Sequence, residues 1–445
     1  MEKKHNRFLS VILLHLKNFL DGKPTNQSIF NKKDPKILHY YNEIVRNWSK
    51  LNFILRKTGR SLEQFGDLNN QDIAKYLFIT YRILWEKSSR ESIMKEFNIL
   101  SHNDLKLKEF IEKLKSFSWK KALSGKSKEE KISIIEAIPS FVIERLLPVM
   151  SIDFIKNNIR FMNTYDKKTD CVIRICHKSN YPDSQDISKF ITDDFKKKDI
   201  FKQDPDFPEL FHTSIKNKQK IIRSKWYISG NITIQDKASV SVVKILSPQS
   251  NDLICDMCAA PGMKTSLIKE QIKDSGQIIA VDFHTGRVYQ MKQLLQHLNV
   301  QRVHMINADS IKFPIRPEFK FDRVLLDAPC TGSGTLLANP ELKWRQNEKF
   351  LYQKTVLQKK LLKSAIERLK VNGTLVYATC SLYPEEGELQ ILNYLDRLQP
   401  LELPQWLSPS YKLGVNNSII PGTGRLFPAI HHTQGFFIGK FKKKG

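Results

Sequence analysis

Two cysteines sit where chemistry is to be expected: Cys330 in Asp327-Ala-Pro-Cys-Thr-Gly-Ser-Gly334, and Cys380 in Tyr377-Ala-Thr-Cys-Ser-Leu-Tyr-Pro-Glu385. Each follows a short apolar run with the character of a buried strand. A thiolate at such a strand end is a soft nucleophile able to form a covalent intermediate. Free cysteine is also one of the most buried residue types, so position alone makes neither of them catalytic. A third stretch, Asp256-Met-Cys-Ala-Ala-Pro-Gly-Met-Lys264, joins an acidic strand end to a loop of small residues. Gly262 in that loop lets the backbone approach a ligand closely. The pattern is not G-x-G-x-x-G, which argues against a dinucleotide. Asp282 ends the next apolar run, 20 residues after Gly262, where a carboxylate accepts hydrogen bonds from ribose hydroxyls. Asp309, in Asn-Ala-Asp, suits an adenine amino group. Any one of these aspartates alone could equally cap a helix. At successive strand ends they describe a nucleoside site.

The elements that must position these residues follow from the apolar pattern. Leu253–Asp256, Gln277–Asp282, Val303–Asp309, Phe321–Asp327 and Thr374–Thr379 are short continuous apolar runs, and helical patterns such as Arg287–Leu298 and Phe350–Leu369 lie between them. Continuous apolar strands separated by helices predict a parallel sheet covered on both faces, the doubly wound α/β architecture. Ligands of such sheets bind at the carboxyl ends of the strands. Residues 1–150 read as helical throughout. The clearest helix holds Ile73, Tyr76, Leu77, Thr80, Ile83 and Leu84 on one face and begins after Asn69-Asn-Gln-Asp72. A boundary falls near Pro139. Residues 151–235 are mixed: Cys171–Cys176 alternates like a strand, and the charged stretch 189–225 contains Lys196-Lys197-Lys198 and the run Lys216–Lys220. Residues 236–445 carry the α/β part.

Composition bounds the partner. The 445 residues hold 72 Lys and Arg against 46 Asp and Glu, a net charge of +26. So large a surplus repels itself in the compact state and calls for a polyanion, nucleic acid before membrane. A generally lysine-rich composition is the plainer alternative. Six cysteines without a regular framework predict free thiols in a reducing, cytoplasmic setting. Cys255 and Cys258 form the one C-x-x-C pair, too few ligands for a zinc site, so no metal is expected. The N-terminal run Phe8–Leu16, behind Lys3, Lys4 and Arg7, has the look of a signal peptide. Its apolar residues fall at helical spacing and no small-residue cleavage site follows, so an amphipathic helix is expected. No membrane span is expected either, and a monomer is the default.

The flanks of the two cysteines resemble the RsmB-type (Fmu/Sun) family of RNA (cytosine-5) methyltransferases. The resemblance rests on Gln235-Asp-Lys-Ala-Ser239, Asp256–Thr265, Asp327–Gly334, Ala378-Thr-Cys-Ser-Leu-Tyr-Pro-Glu-Glu386 and Arg425–Ile438, which occur in the family's order over residues 160–443. It implies a Rossmann-like, S-adenosylmethionine-dependent methyltransferase domain. More weakly, through pattern and order, the helical first third resembles the NusB-like RNA-binding domain that precedes it, with a small α/β subdomain between. By the same resemblance Cys380 is the nucleophile and Cys330 the second cysteine, which helps to release product. Cys258, Ala259, Ala260, Pro261, Gly262, Met263 and Lys264 hold the methionine and ribose part of S-adenosylmethionine. Asp282 takes the ribose, Asp309 lies near adenine, Asp327 sits beside methyl donor and base, and Lys264 lies close to the reacting groups. Arg174 belongs to the small RNA-binding subdomain. Two positions depart from the family. Met263 replaces a second glycine, so it must avoid positive φ. Cys176 replaces an asparagine, which weakens one implied RNA contact.

Those residue types suit one reaction. Cytosine C5 is too poor a nucleophile to take a methyl group unaided, and thiolate addition at C6 makes it enamine-like. The thiol then needs a depressed pKa, which Lys264 could supply, while a protonated or hydrogen-bonded Asp327 supports charge at N3. The expected partner is RNA, ribosomal before transfer RNA. Two other classes stay in view: a DNA cytosine-5 methyltransferase, whose nucleophile follows a proline as Cys330 does, and a noncatalytic RNA-binding ribosome-assembly factor.

Overall fold

The computed structural model describes residues 2–23, 35–59, 68–97, 105–163, 170–176, 201–273, 275–313, 315–336 and 339–445. Lys196-Lys197-Lys198 lies outside the described residues. The chain forms two compact units, one of Met1–Glu144 with Asn339–Arg345 and one of Arg145–Ala338 with Gln346–Gly445.

The first unit is helical. Its helices include Glu2–Leu20, Pro35–Arg46, Trp48–Gly59, Asn70–Leu84 and Leu105–Lys115. Asn69 caps the helix Asn70–Leu84 by accepting from the backbone of Gln71 and Asp72, so the helix begins inside the polar run and not after Asp72 as read in the sequence. The N-terminal helix buries Ile12 and Leu16 against Tyr41, Val45, Phe78 and Phe110, so its apolar stripe faces a protein core. A short 3₁₀ turn, Pro340–Arg345, also belongs here although it lies far along the chain. Lys343 Nζ donates to Arg46 O at 2.9 Å and Trp344 Nε1 to Val45 O at 2.7 Å. Nothing in the apolar periodicity of residues 1–150 announces that insertion. No helix among the described residues is long and apolar enough to cross a membrane.

The second unit holds two sheets. A small antiparallel sheet contains β1 (Asp170–Ile175), β2 (Lys202–Gln203), β3 (Leu210–Ser214) and β4 (Ile232–Ile234), in the order β2-β3-β1-β4. The large sheet runs through β5 (Leu253–Asp256), β6 (Gln277–Asp282), β7 (Val303–Asn307), β8 (Phe321–Asp327) and β9 (Leu369–Thr379) as β9-β8-β5-β6-β7, all parallel. This is the doubly wound, Rossmann-like arrangement expected. The order reverses between β5 and β8, so the crevice for a ligand opens at their carboxyl ends. The strands are apolar on both faces because helices such as Lys237–Leu246 and Glu348–Arg368 cover them; Ile254, Cys255, Val324, Leu325 and Leu326 are all buried.

An antiparallel edge was not read in the sequence. β13 (Phe436–Lys443) pairs with β9, Phe437 opposite Thr379, and β12 (Thr423–Leu426), β11 (Ser408–Pro409) and β10 (Leu398–Pro400) complete this side. β9 also begins at Leu369 and not at Thr374, since pairing with β8 reaches Phe321 beyond the apolar core.

Arg174 lies on β1 of the small sheet. Arg174 is fully buried: Nε donates to Gln235 Oε1 at 2.7 Å, Nη1 to Glu270 Oε2 at 2.6 Å and Nη2 to Ser266 Oγ at 2.8 Å. Glu270 and Ser266 lie on the helix Met263–Ile272 that follows the small-residue loop. Arg174 therefore joins the small sheet to the large one. Cys176, just after β1, is 2% exposed.

Candidate active site

Four loops leave the carboxyl ends of β5, β6, β8 and β9 and meet at the crevice. The loop after β5 is held by its own backbone: Ala259 N donates to Val281 O at 2.9 Å and Gly262 N to Ala259 O at 2.8 Å. Gly262 has φ +100°, and a Cβ there would fall 2.9 Å from Met291 Cγ, so only glycine fits. Met263 is the first residue of the helix Met263–Ile272, so the expectation that it avoids positive φ holds. Cys258 is half-buried, Ala259, Ala260 and Gly262 are buried, Pro261 is exposed, and Met263 and Lys264 are partly open.

The acidic strand ends are buried or half-buried. Asp282, 3% exposed, accepts from Ala260 N at 3.2 Å through Oδ2 and from His284 N at 3.1 Å through Oδ1, with Arg287 Nη1 3.5 Å away. Asp309 is half-buried and accepts from Ile311 N at 2.9 Å, while its neighbour Ser310 donates to Met257 O at 2.6 Å. Asp256 had been noted only as the start of the loop. It is 1% exposed; Oδ2 accepts from Thr265 Oγ1 at 2.8 Å, and Oδ1 is buried with no partner among the described residues. Burial pushes its carboxyl up to about 7.

Lys264 and Asp327 form a direct pair across β5 and β8, Nζ to Oδ2 at 2.5 Å. Burial alone would pull the amine down, but the carboxylate of Asp327 outweighs it, with Asp256 and Cys380 adding to the pull, so Lys264 stays charged. Its Nζ also lies 5.8 Å from the centre of the Phe436 ring. Asp327 is thus a charge partner of Lys264, and the carboxyl that burial holds near neutrality is Asp256.

The two cysteines meet. Cys330 Sγ lies 3.2 Å from Cys380 Sγ, although the residues are 50 apart in the chain. The bond to Cys380, then burial, holds the Cys330 thiol well above its usual range, so Cys330 keeps its proton beside the Cys380 sulfur. Both cysteines are partly exposed, open to an incoming group.

Residues to which no role had been given hold this meeting in place. Glu386, fully buried, accepts from Thr331 N at 2.9 Å, from Thr331 Oγ1 at 2.5 Å and from Gln358 Nε2 at 2.9 Å. It thereby ties the loop of Cys330 to the loop of Cys380. Ser333 and Ser381 share a hydrogen bond at 2.9 Å, and Gly334 N donates to Cys380 O at 3.0 Å. A Cβ on Gly334 would fall 2.0 Å from Gly435 O, so the glycine of the first loop packs flat against the start of β13. Arg425 on β12 forms a buried pair with Glu388, Nε to Oε1 at 2.7 Å, and donates to Ser381 O at 2.9 Å. All of these except Gln358 and Glu388 lie within the motif stretches quoted above. Their types gave no hint of whom they bind, since the partners are distant in sequence.

The fold and this geometry define a Rossmann-like domain with a paired-cysteine site at the carboxyl ends of its strands. Residues 243–442 match the family model described as 16S rRNA methyltransferase RsmB/F. A "Probable ribosomal RNA small subunit methyltransferase B" of Synechocystis is 40% identical over 223 residues, 49% of either chain. The mouse "28S rRNA (cytosine-C(5))-methyltransferase" is 37% identical over 227 residues, 49% of this chain and 28% of that one. The chain thus spans about half the length, or less, of the curated relatives it matches. A solved "methyltransferase homolog protein" of Pyrococcus horikoshii superposes with a TM-score of 0.59 at 28% identity, covering 71% of this chain and 98% of that one. The structure of PH0851 superposes with a TM-score of 0.75 over 97% of this chain and 98% of its own, and at 23% identity it speaks for the fold alone.

Proposed function

We propose that this chain transfers a methyl group from S-adenosylmethionine to C5 of a cytosine in ribosomal RNA. The observation that carries the proposal is the contact of Cys330 with Cys380 at the mouth of the sheet's switch point, beside the Lys264–Asp327 pair. The residues at hand fit the methyl donor. Asp256 offers a buried carboxylate oxygen with no partner among the described residues, suited to a cationic ligand. Asp282 retains accepting capacity for ribose hydroxyls, and Cys258–Lys264 with Asp309 and Asp327 complete the pocket. Bound there, S-adenosylmethionine would supply an electrophilic methyl group.

The chain's own residues do the rest. Cys380 Sγ bonds C6 of the cytosine, and the ring's electrons move towards C5 and N3. Lys264, kept charged by Asp327, opposes the negative charge that develops. C5 takes the methyl group, water takes the proton that C5 gives up, and the Cys380–C6 bond breaks to return the thiolate. Cys330, held against the Cys380 sulfur, serves that last step. The helical part, read as NusB-like and as residues 1–150, and the small sheet region, 151–235, bring RNA to the catalytic part, 236–445. The names of the relatives support ribosomal RNA as the substrate, with the protein acting as a cytoplasmic monomer and thiolate chemistry calling for no metal.

The test is a denaturing gel of wild type, Cys380→Ala and Cys330→Ala on cytosine-containing RNA with labelled methyl donor. Cys380→Ala is expected to form no adduct and transfer no methyl group. Cys330→Ala is expected to accumulate a denaturant-stable protein–RNA adduct carrying the label. The reverse pattern would make Cys330 the nucleophile, and no transfer by any form would leave an RNA-binding factor. Bisulfite sequencing of total RNA with and without the gene separates ribosomal from transfer RNA.

A further inference from the structure

The helical unit contains a cavity of about 280 Å³, lined by Phe19, Leu20, Trp48, Glu341, Trp344 and Arg345, with Lys23 at its rim. Two features set it apart from a packing defect. The Nε1–H of Trp48 is buried and has no acceptor among the described residues, whereas that of Trp344 is satisfied by Val45 O at 2.7 Å. A buried indole donor left unpaired costs stability unless a ligand completes it. The three aromatic rings also form a wall: Trp48 meets Trp344 edge-on at 5.0 Å and Phe19 at 5.8 Å.

We propose that this cavity receives one unpaired RNA base, stacked on the tryptophan wall. The inference rests on the RNA-binding reading above and gives it a site. Charge supports RNA as the occupant: residues 1–144 carry 27 Lys and Arg against 17 Asp and Glu. Lys23 and Arg345, 65% and 53% exposed, stand at the cavity where the phosphates flanking a buried base would pass. Lys23 has Asp21 at 3.7 Å and Arg345 has Glu341 at 4.0 Å, long contacts that leave both cations donors to spare. Glu341 accepts from Tyr41 OH at 2.7 Å through Oε1 and keeps capacity for a base amino group. An indole donor and a carboxylate acceptor in one pocket match a base that carries both a ring acceptor and an exocyclic amino group. Adenine has both, and uracil lacks the amino group. Aromatic stacking supplies affinity for single-stranded RNA without needing base pairing.

Fluorescence anisotropy with the full chain tests this, using fluorescein-labelled octauridylate and the same octamer with one central adenosine. Neither contains cytosine, so the catalytic site takes no part in the discrimination. The adenosine octamer is expected to bind several-fold more tightly. Trp344→Ala is expected to weaken it about 5- to 100-fold, with no change in the slope against salt, because a stacked base releases no counterions. Trp48→Phe keeps the ring and loses the donor, and Leu20→Trp fills the cavity without removing a contact; either is expected to abolish the preference for adenosine. Thermal melts identify any variant that fails to fold, and the two conservative variants carry the test in that case. Equal binding of the two octamers by wild type, or a preference that survives Trp48→Phe and Leu20→Trp, would overturn the pocket. Because this is a binding measurement, its failure with methyl transfer intact would leave the enzymatic proposal standing.

Discussion

Removing the Glu386 side chain tests whether the cysteine pair depends on a buried carboxylate that never touches the reacting atoms. In Glu386→Ala, the Thr331 backbone N–H, the Thr331 hydroxyl and the Gln358 amide lose their acceptor in a region with no exposure to water. Each orphaned buried donor costs about 1–3 kcal/mol. Partial recovery by the hydroxyl, which can rotate, brings the sum to roughly 3–5 kcal/mol. That is a large share of the ~5–15 kcal/mol stability of a domain. For a unit of this size the melting temperature should fall by roughly 6–20 °C. Gln358 Nε2 also donates to Pro329 O at 3.0 Å, immediately before Cys330, so the loosened amide frees that loop. A displacement of about 1 Å at the reacting sulfur lowers turnover about 100-fold. Glu386→Gln keeps an acceptor for Thr331 N–H and should retain most stability and activity. The assay pairs differential scanning calorimetry with single-turnover methyl transfer below the melting transition of each variant. If Glu386→Ala melted within 2–3 °C of wild type, the span that converts about 1 kcal/mol, the three-donor belt would not be what holds the loops together.

Two further outcomes follow from other buried groups. Asp256 has a folded pKa of about 7 against ~3.9 in an unfolded chain, raised by burial. Between those values the folded protein keeps a proton that the unfolded chain has lost, so stability falls as pH rises through that window, by roughly 4 kcal/mol at most. Guanidinium titrations of the ligand-free protein at pH 5 and pH 8 should show that loss in wild type and little of it in Asp256→Asn; parallel curves would dismiss the shifted carboxyl. Arg174→Met should cost about 3–5 kcal/mol, because Glu270 is left as a buried charge without its partner. The same variant should leave the salt dependence of RNA binding unchanged, and a slope reduced by about one unit would return Arg174 to the phosphate backbone.

The sequence by itself determined the parallel part of the sheet and which residues stand at its strand ends. Five apolar runs and the helices between them specify a parallel, doubly wound domain, because strands buried on both faces leave no alternation to misread. The strand ends located Asp282, Asp309, Asp327, Cys330 and Cys380, since ligands of such a sheet gather at its carboxyl edge. Local chemistry also settled Met263, the first residue of its helix, where the preceding glycine takes the positive φ. Tertiary structure alone decided who meets whom. The 50-residue separation of Cys330 and Cys380 closes only because β8 and β9 are neighbours in register, Asp327 opposite Ala378. Arg174 is placed by its sequence only in the small subdomain, and it becomes a buried joint when β1 is laid against the helix Met263–Ile272. Asp256 looked like one more acidic strand end, and its burial makes it the carboxyl whose pKa lies at about 7. Trp344, deep in the catalytic half of the sequence, packs with Trp48 in the helical unit. Hydrogen bonds and burial between residues distant in the chain leave no periodic trace, so they are legible only once the chain has folded.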